Sequence, residues 1–360
     1  MERVTIAHLA EQLGISKASV SYALNGQSGV SDQTRDRVLA LARELGWRPS
    51  FSARALSRSR ADAIGMVLRR DPALLGAEPY YMRLLEGVED VLTAAGQSLL
   101  LRMVGTAPGR DIAVYERWAA ERRVDGVIVL DRTTDDPRPA QLTRLGMPFV
   151  LHGVLPTDEP GTERIEDQHR DAALLVEHLH QLGHRRIGHV TGPLHLTHEL
   201  DRTQAVHTEA AARGMSARFA EADYTYDSAY ARVNELLDSD ARPTALIFSN
   251  DVMAVAGLRA LASRDVGEIA LLSWDDSMLC QFASPAISAL ERFPDRAGRR
   301  SAAMLLALLA DGDGAETADG GALGAAAAGA RAVDGALAAD IGPNASELRV
   351  RGTSTRAPLT

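Results

Sequence analysis

Polar and basic side chains near the start of the chain could contact the phosphates and base edges of a nucleic acid. The outward positions of one predicted short helix are all polar: Lys17, Ser19, Ser21 and Tyr22. Lysine can bind phosphate as a point charge, and hydroxyl groups can reach phosphates or base edges. The segment 47–60 follows with four more arginines. These residue types favour nucleic-acid binding by the N-terminal part of the chain.

The charge of the chain is divided unevenly between this part and the rest. Residues 1–60 carry nine Lys and Arg against five Asp and Glu, a net charge of +4, and the other 300 residues carry −13. Such an asymmetry is typical of a basic interaction module joined to an acidic body. The overall net charge of −9 therefore does not exclude a nucleic-acid partner.

Three short helices must position the polar residues. The first begins after Thr5 and ends at Gly14, and the second follows Ser16 and stops at Asn25–Gly26. Ser31 opens the third. A tight glycine turn between the first two helices predicts a helix-turn-helix unit, whose second helix enters the major groove of DNA. A small helical bundle that binds a protein is the alternative.

The basic segment predicts a hinge that DNA could order. Pro49 prevents the third helix from continuing, and 53–58 could form one helix that is too short to persist alone. Arg54 could then contact phosphates while Leu56 inserts as an apolar wedge in the minor groove. A plain basic linker is the alternative, but it does not account for an isolated leucine among serines and arginines.

The rest of the chain alternates apolar runs with helical stretches. The predicted strands are 63–68, 99–104, 124–130, 148–152, 186–191, 245–248 and 269–273. The predicted helices are 81–95, 113–122, 172–182, 202–213, 228–238, 252–263 and 297–310. This alternation predicts α/β architecture with parallel sheets covered on both faces, in which ligands bind at the carboxyl ends of the strands.

Several classes of protein are disfavoured. The chain lacks the glycine-rich phosphate fingerprint after its first strand, a G-x-S-x-G elbow and an H-E-x-x-H helix, so we expect no enzyme, catalytic residue or cofactor. Eight of the ten histidines lie between His169 and His207, but their spacing does not predict a metal site. Cys280 is the single cysteine and is expected to be buried. No apolar run or signal peptide predicts a membrane association, so we expect a cytoplasmic protein.

The N-terminal motifs resemble those of the LacI/GalR family of bacterial repressors. They are Val4-Thr5-Ile6, Ala10, Gly14-Ile15-Ser16, Ser19-Val20-Ser21, Asn25-Gly26, Val30-Ser31, Thr34-Arg35, Leu45-Gly46-Trp47-Arg48-Pro49 and Ala53-Arg54-Ala55-Leu56. The resemblance implies that Lys17, Ala18 and Tyr22 read bases and that Leu56 is the minor-groove lever. Tyr22 stands where the family commonly has arginine, which leaves the operator preference open. The residues predicted to contact DNA are Thr5, Ser16, Lys17, Ala18, Ser19, Ser21, Tyr22, Asn25, Ser31, Arg54 and Leu56.

The resemblance also implies an all-α helix-turn-helix head and a periplasmic-binding-protein-like body of two doubly wound parallel-sheet lobes. It extends to about Ala310 and resumes at 347–355. The implied divisions are a head at 1–48, a hinge at 49–61, a first lobe at 62–157 plus 277–310, and a second lobe at 158–276 plus 343–360. An Ala/Gly-rich stretch at 311–342 cannot bury enough apolar surface to offset ordering, which predicts a flexible insertion.

Matching the family's body motifs residue by residue implies an effector site between the lobes. The implied residues are Tyr81, Asp167, Arg202, Asn250, Trp274 and Asp275. A carboxylate, a guanidinium and an amide at strand ends, with an aromatic platform, suit the hydroxyls of a neutral sugar. The aromatic residues favour an oligosaccharide. Asp251 is expected to cap its helix, and a position in the core is the alternative for Trp274.

Head, hinge and cleft together predict a transcriptional repressor that a sugar releases from DNA. Two heads on two half-sites would make it a homodimer on a pseudo-palindromic operator. Three alternatives remain open: a purine corepressor, control by a protein partner, and a sugar-processing enzyme. The last would use paired carboxylates about 5–10 Å apart across the substrate, and adjacent Asp275 and Asp276 need not face each other in that way.

Overall fold

The computed structural model describes residues 4–24, 28–47, 60–70, 78–153, 168–314 and 346–357, with side chains described as far as 310 in the longest of these ranges. The chain forms two compact units, Met1–Asp62 and Ala63–Thr360. In the described ranges, no helix combines the length and the apolar character that crossing a membrane requires.

The first unit contains the three predicted helices, α1 (Ile6–Leu13), α2 (Lys17–Leu24) and α3 (Asp32–Glu44). Their boundaries are set by local chemistry. The hydroxyl of Thr5 accepts a hydrogen bond from the backbone N–H of His8, and the hydroxyl of Ser31 accepts one from Thr34. Gly14 ends α1 with a left-handed φ of 65°.

The three helices share one small apolar core. Leu9, Val20 and Val38, one from each helix, have no solvent exposure, and smaller side chains such as Ala23 and Ala42 fill the space between them. Burial of this face fixes the opposite face of α2 at the surface. The predicted helix-turn-helix head is therefore confirmed.

The second unit begins with a parallel sheet. Its strands within the described residues are β1 (Ala63–Leu68), β2 (Ser98–Met103), β3 (Gly126–Val129) and β4 (Phe149–Leu151), in the order β2-β1-β3-β4. The helices between them are α4 (Pro79–Ala94), α5 (Arg110–Glu121) and α6 (Arg138–Arg144). Every residue of β1 is buried, as expected for a central strand covered on both faces.

A second sheet forms the other lobe. Its described strands are β5 (Arg186–Thr191), β6 (Ser216–Glu221), β7 (Ala245–Phe248), β8 (Ala270–Ser273), β9 (Ser288–Glu291) and β10 (Glu347–Arg349), in the order β10-β9-β8-β7-β5-β6. The pairing is parallel except between β9 and β10. The accompanying helices are α7 (Gln168–Gln181), α8 (Thr197–Ala212), α9 (Tyr226–Leu237), α10 (Asp251–Ala262) and α11 (Met278–Phe282). The predicted α/β class with two lobes is confirmed.

The structure corrects the expected boundary of the first lobe at 277–310. Strand β9 pairs with β8 and β10, so this part of the range belongs to the second sheet. Only α12 (Pro294–Gly314) packs on the first lobe, along α4. The two helices approach closely because Gly87 and Gly298 each lie where a Cβ would meet backbone of the other helix. Residues 311–314 of the predicted insertion continue α12, and the remainder lies outside the described residues.

Candidate functional site

The predicted DNA-contacting residues of α2 lie at the surface of the head. Lys17, Ala18 and Tyr22 are exposed, with 42% of the tyrosine accessible, while Ser19 and Ser21 are half-buried. The α2 sequence contains no acidic residue that would repel phosphate. This helix face can therefore approach DNA with cationic, hydroxyl and aromatic groups.

Three of the predicted serine and threonine contacts of the head occupy helix starts. Thr5 caps α1 and Ser31 caps α3, while the hydroxyl of Ser16 accepts a hydrogen bond from the backbone N–H of Ser19 at the start of α2. Helix starts carry partial positive charge, which suits phosphate contacts. The other predicted DNA-contacting residues, Asn25, Arg54 and Leu56, lie outside the described residues, as does nearly all of the predicted hinge.

The second unit contains a cleft between its two sheets. The cleft encloses about 960 Å³, open solvent included. Residues just after strands of both sheets line it, among them Arg70, Asp131, His152, Asn250 and Asp275, and Arg202 joins them from α8. This is where the carboxyl ends of parallel strands place ligand-binding groups.

Arg202 is held rigidly in the wall of the cleft. Its Nε donates to Oε1 of Gln168 at 3.0 Å, and its Nη1 donates to Oε1 of Glu199 at 2.9 Å. The guanidinium lies 5.1 Å from the ring centroid of Trp274, within range of a cation–π interaction. A guanidinium fixed in this way is a preorganised donor for a ligand.

Glu199 holds the groups on this side of the cleft in place, although no sequence motif identified it. Besides Arg202, its carboxylate accepts from the hydroxyl of Tyr224 at 2.9 Å, the hydroxyl of Ser249 at 2.6 Å and the N–H of Gly192 at 2.8 Å. Burial alone would raise the pKa of Glu199, but Arg202 and the other donors outweigh it and hold the pKa at about 2. The carboxylate is ionised and fully hydrogen-bonded.

A second ion-pair network comes from the first sheet. Arg70 lies 3.1 Å from Asp131 and 3.4 Å from Glu78, and the hydroxyl of Tyr81 donates to both oxygens of Asp131 at 2.9 Å. Burial opposes ionisation of Asp131, but Arg70 and then other neighbours lower its pKa. Arg70 also lies 5.2 Å from the ring centroid of Tyr224, a contact that joins the two sides of the cleft.

Adjacent Asp275 and Asp276 have separate partners. Nη1 of Arg292 donates to Asp275 at 3.0 Å, and Asp275 lines the cleft. Asp276 receives two hydrogen bonds from Arg351, at 2.9 and 2.6 Å, which tie the segment after β10 to the second lobe. The two carboxylates therefore do not form a pair across a bound ligand.

The start of α10 differs from the expectation. Asn250, not Asp251, is the N-cap, because its Oδ1 accepts from the N–H of Met253 at 2.8 Å. The prediction that Asp251 caps its helix was wrong by one residue. Asp251 instead stands at the first helical position with a carboxyl group whose pKa is raised to about 7, first by burial and then by Asp275.

Four predicted effector residues, Tyr81, Arg202, Asn250 and Asp275, come together in the cleft lining. Trp274 does not join them, because it is fully buried beneath Arg202 and stacks on His189 with centroids 6.0 Å apart. Its predicted position as an effector contact is therefore corrected to the core. Asp167 lies outside the described residues.

The predicted aromatic platform also needs correction. The guanidinium carbon of Arg70 lies 5.4 Å from the ring centroid of Tyr81, and the same ring packs edge-to-face on Tyr80. The ring of Tyr81 therefore has no open face on which a sugar ring could stack. The aromatic argument for an oligosaccharide therefore loses its support.

Sequence reasoning missed several cleft residues. Arg70, Asp131, His198 and Tyr224 all line the cleft. Asp131 follows a predicted strand directly, so strand-end position alone could have identified it. Asp131 and Tyr224 have φ values of 49° and 68°, in the left-handed region that non-glycine residues rarely adopt and that often marks functional sites.

Backbone hydrogen bonds join the two lobes beside the cleft. The N–H of Thr197 donates to the carbonyl of Arg132 at 2.8 Å, and the N–H of Thr134 donates to the carbonyl of His195 at 3.1 Å. The loops after β3 and β5 therefore hold the lobes against each other in this structure.

A helix-turn-helix head together with a two-lobed, cleft-bearing body defines a DNA-binding transcriptional regulator of the ligand-sensing type. Residues 5–50 match the model of "Bacterial regulatory proteins, lacI family", and residues 176–319 match a "Periplasmic binding protein-like domain". The chain is 31% identical to the HTH-type transcriptional regulator CelR of Thermobifida fusca over 315 residues, covering 84% of this chain and 91% of CelR. The chain belongs to the lacI family of bacterial regulatory proteins.

Solved structures agree with this assignment. A CelR–cellobiose complex aligns with a TM-score of 0.63 and 28% identity, covering 86% of this chain and 94% of that chain. The lac repressor dimer bound to operator and the anti-inducer ONPF aligns with a TM-score of 0.73 and 25% identity over the same shares. The predicted family, fold class and DNA-binding function are confirmed.

Proposed function

We propose that this chain represses transcription by binding a pseudo-palindromic operator as a homodimer in the cytoplasm, and that a neutral sugar in the cleft lowers its operator affinity. The observation that supports the sugar is the pairing of charges in the cleft. Arg70, Arg202 and Arg292 each lie in an ion pair with a carboxylate. Three of the four arginines that line the cleft within the described residues are thus neutralised, which suits a polar, uncharged ligand with many hydroxyls.

The likeness to the CelR–cellobiose complex supports the same ligand class, and cellobiose is the natural first probe. It also supplies the support for an oligosaccharide that the buried Trp274 no longer gives. A monosaccharide also fits the proposal, because the paired charges in the cleft do not indicate how many sugar rings bind.

Exposed apolar side chains on α11 support the homodimer. Met278, Leu279 and Phe282 are 66%, 40% and 79% exposed on one short helix of the second lobe. Such a patch on a protein surface is typical of a protein–protein interface. The aligned lac repressor structure is a dimer on its operator, which is consistent with this arrangement.

The proposed mechanism is a shift between lobe arrangements. A sugar can change operator affinity only through different affinities for two arrangements of the protein. The backbone hydrogen bonds between the lobes and the Arg70–Tyr224 contact are the groups that would differ between them. Movement of the first lobe would displace the hinge. The hinge would then change the distance between the two heads of the dimer.

The test is operator affinity of the purified full-length protein on a palindromic DNA panel, titrated at fixed salt with cellobiose, maltose, glucose and purines. Fixed salt matters because phosphate contacts make affinity salt-dependent. We expect weaker DNA binding with one sugar. Tighter binding with a purine would replace induction by corepression, and absence of DNA binding would contradict the proposal as a whole.

We also propose that the sugar leaves unchanged. Asp276 is bound by Arg351 and does not line the cleft, so the adjacent aspartates lack the arrangement of a hydrolase pair. Recovery of intact cellobiose after long incubation with the protein is the expected result, and appearance of glucose would assign an enzymatic activity.

A further inference from the structure

A carboxyl oxygen of Asp251, in the wall of the cleft, has no hydrogen-bond partner among the described residues. Asp251 is 2% exposed, and its Oδ1 accepts from the backbone N–H of Val252 at 2.8 Å. Its Oδ2 is buried and has no partner in hydrogen-bonding geometry among the described residues, although the Ser277 hydroxyl is near enough to the carboxyl to lower its pKa. Because an unsatisfied buried polar atom is costly, native structures rarely retain one without a reason.

The position of Asp251 suggests the missing partner. Asp251 lines the cleft and also a small cavity behind it, and Asp275 lines both as well. Asn250 has already used its Oδ1 to cap α10. The carboxyl of Asp251 is therefore the acceptor at this strand end that the described residues leave without a full set of partners.

The charged groups around Asp251 are bound to other partners. Facing it from the small cavity are Arg83, Asp275, Asp276, Glu291 and Arg292, and Glu78 and Cys280 are further titratable groups near this wall. Arg83 binds Glu291 and Asp295, Arg292 binds Asp275, and Arg351 binds Asp276. None of these described ion pairs includes Asp251, so the protein provides it with no counter-charge there.

We propose that Asp251 is a specificity-determining residue whose Oδ2 accepts a hydrogen bond from a hydroxyl of the effector. The ligand class is then a neutral sugar that presents a hydroxyl donor to α10. Sugar acids and sugar phosphates are excluded at this position because their anionic groups would face Asp251 and Asp275 together. This inference rests on the proposed sugar-binding function.

Proton linkage gives the proposal a specific signature. The pKa of Asp251 is about 7, raised first by burial and then by Asp275, while Ser277 and backbone N–H groups lower it less. A donated hydrogen bond stabilises the ionised form, so the bound pKa falls and a proton is released near and below pH 7. Sugar affinity therefore rises as the pH increases toward 7.

The experiment compares the full-length protein with Asp251→Asn by calorimetric titration of cellobiose near pH 6, in two buffers of different ionisation enthalpy. Because the free carboxyl is mostly protonated at this pH, loss of the hydrogen bond predicts about tenfold weaker binding by the variant. The released protons should also decrease. Glu78, whose pKa burial also raises to about 7, is present in both proteins, so the difference belongs to Asp251.

Two controls separate binding from folding. Asp265→Asn changes an exposed aspartate outside the cleft and should leave both affinity and proton release unchanged. The Tm of Asp251→Asn should be equal to or above that of the unmodified protein, because the variant removes an unpaired buried carboxylate. Weaker binding together with a clearly lower Tm would assign a structural role and overturn the inference.

Equal affinity and equal proton release in Asp251→Asn would also overturn the inference while leaving the proposed function intact. If the unmodified protein binds neither cellobiose, maltose nor glucose, the proposed function fails and the inference fails with it.

Discussion

Two buried carboxyl groups in the cleft wall of the second lobe, those of Glu199 and Asp251, have opposite hydrogen-bonding environments. Glu199 is buried with four donors converging on it, and its pKa is lowered to about 2. Asp251 is almost as buried, yet one of its oxygens has no hydrogen-bond partner in the described part of the chain, and its pKa is raised to about 7. Similar burial thus gives opposite shifts because hydrogen-bond donors are present in one place and absent in the other.

The two carboxyl groups therefore suit two different roles, positioning of other side chains and recognition of a ligand. A carboxylate that the protein satisfies completely fixes other groups, here Arg202 and Tyr224, before any ligand arrives. A carboxyl that the protein leaves incomplete costs stability and has the capacity to bind something else. The Glu199 side is thus built for rigidity and the Asp251 side for recognition.

Removal of the Glu199 carboxylate should disrupt the hydrogen-bond network on its side of the cleft and give the largest loss of folding stability. Glu199→Ala leaves the guanidinium of Arg202 buried without its counter-charge, which typically costs about 3–5 kcal/mol of folding stability. The free energy of unfolding from urea titration measures this loss. The matched control is Glu235→Ala, which removes an exposed partner of Arg232 and should cost less than about 1 kcal/mol. Equal losses in the two variants would contradict a special role of Glu199.

Acid should weaken the same side through His189. This histidine is buried against Trp274, and burial lowers its pKa to about 4. Because the folded state favours the neutral ring, the stabilisation is present above the unfolded pKa of about 6.5 and is lost as the pH falls toward 4. Asp251 has the opposite sign, since a raised carboxyl pKa destabilises the fold as the pH rises through 4 to 7.

The measurement is the free energy of unfolding near pH 7.5 and near pH 4.5. The unmodified protein should lose about 2–3 kcal/mol more than His189→Gln between these values. His169→Gln, at an exposed position of α7, should follow the unmodified protein. Parallel pH profiles for His189→Gln and the unmodified protein would show that His189 does not titrate as the structure implies.

The sequence predicted the strands that form these two sides better than the side-chain contacts within them. Strands β1, β5 and β7 were placed with correct ends, because buried parallel strands are short continuous apolar runs with clear limits. Strand β6 was missed because its half-exposed edge position gives it no such run. Strand β9 was missed as a strand and assigned to the wrong lobe, since only tertiary pairing places it beside β8.

The site shows the same limit at the level of single residues. Arg202 and Asp275 were predicted from motifs that resemble the family, and both line the cleft. Glu199 had no signal in the sequence, because an acid in the first turn of a helix usually faces solvent, and only folding brings its four donors together. Trp274 was predicted to contact the ligand, but its large apolar ring is buried in the core under Arg202.

The smallest effect tests whether the rigid side also joins the lobes. Tyr224→Phe removes the hydroxyl that donates to Glu199 and shares a hydrogen bond with His198, but keeps the ring beneath Arg70. We expect a loss of about 1 kcal/mol in the free energy of unfolding. Tyr230→Phe, which removes an exposed hydroxyl near Ser263, is the matched control and should be nearly neutral.

Sugar affinity then distinguishes the role of the hydroxyl from that of the ring. If Glu199 needs Tyr224 only as one donor among four, Tyr224→Phe should bind cellobiose almost normally, whereas Tyr224→Leu should weaken it by removing the Arg70 contact that spans the cleft. Equal weakening in both variants would place the coupling between the lobes in the hydroxyl network instead. The rigid side would then take part in ligand response as well as in positioning Arg202.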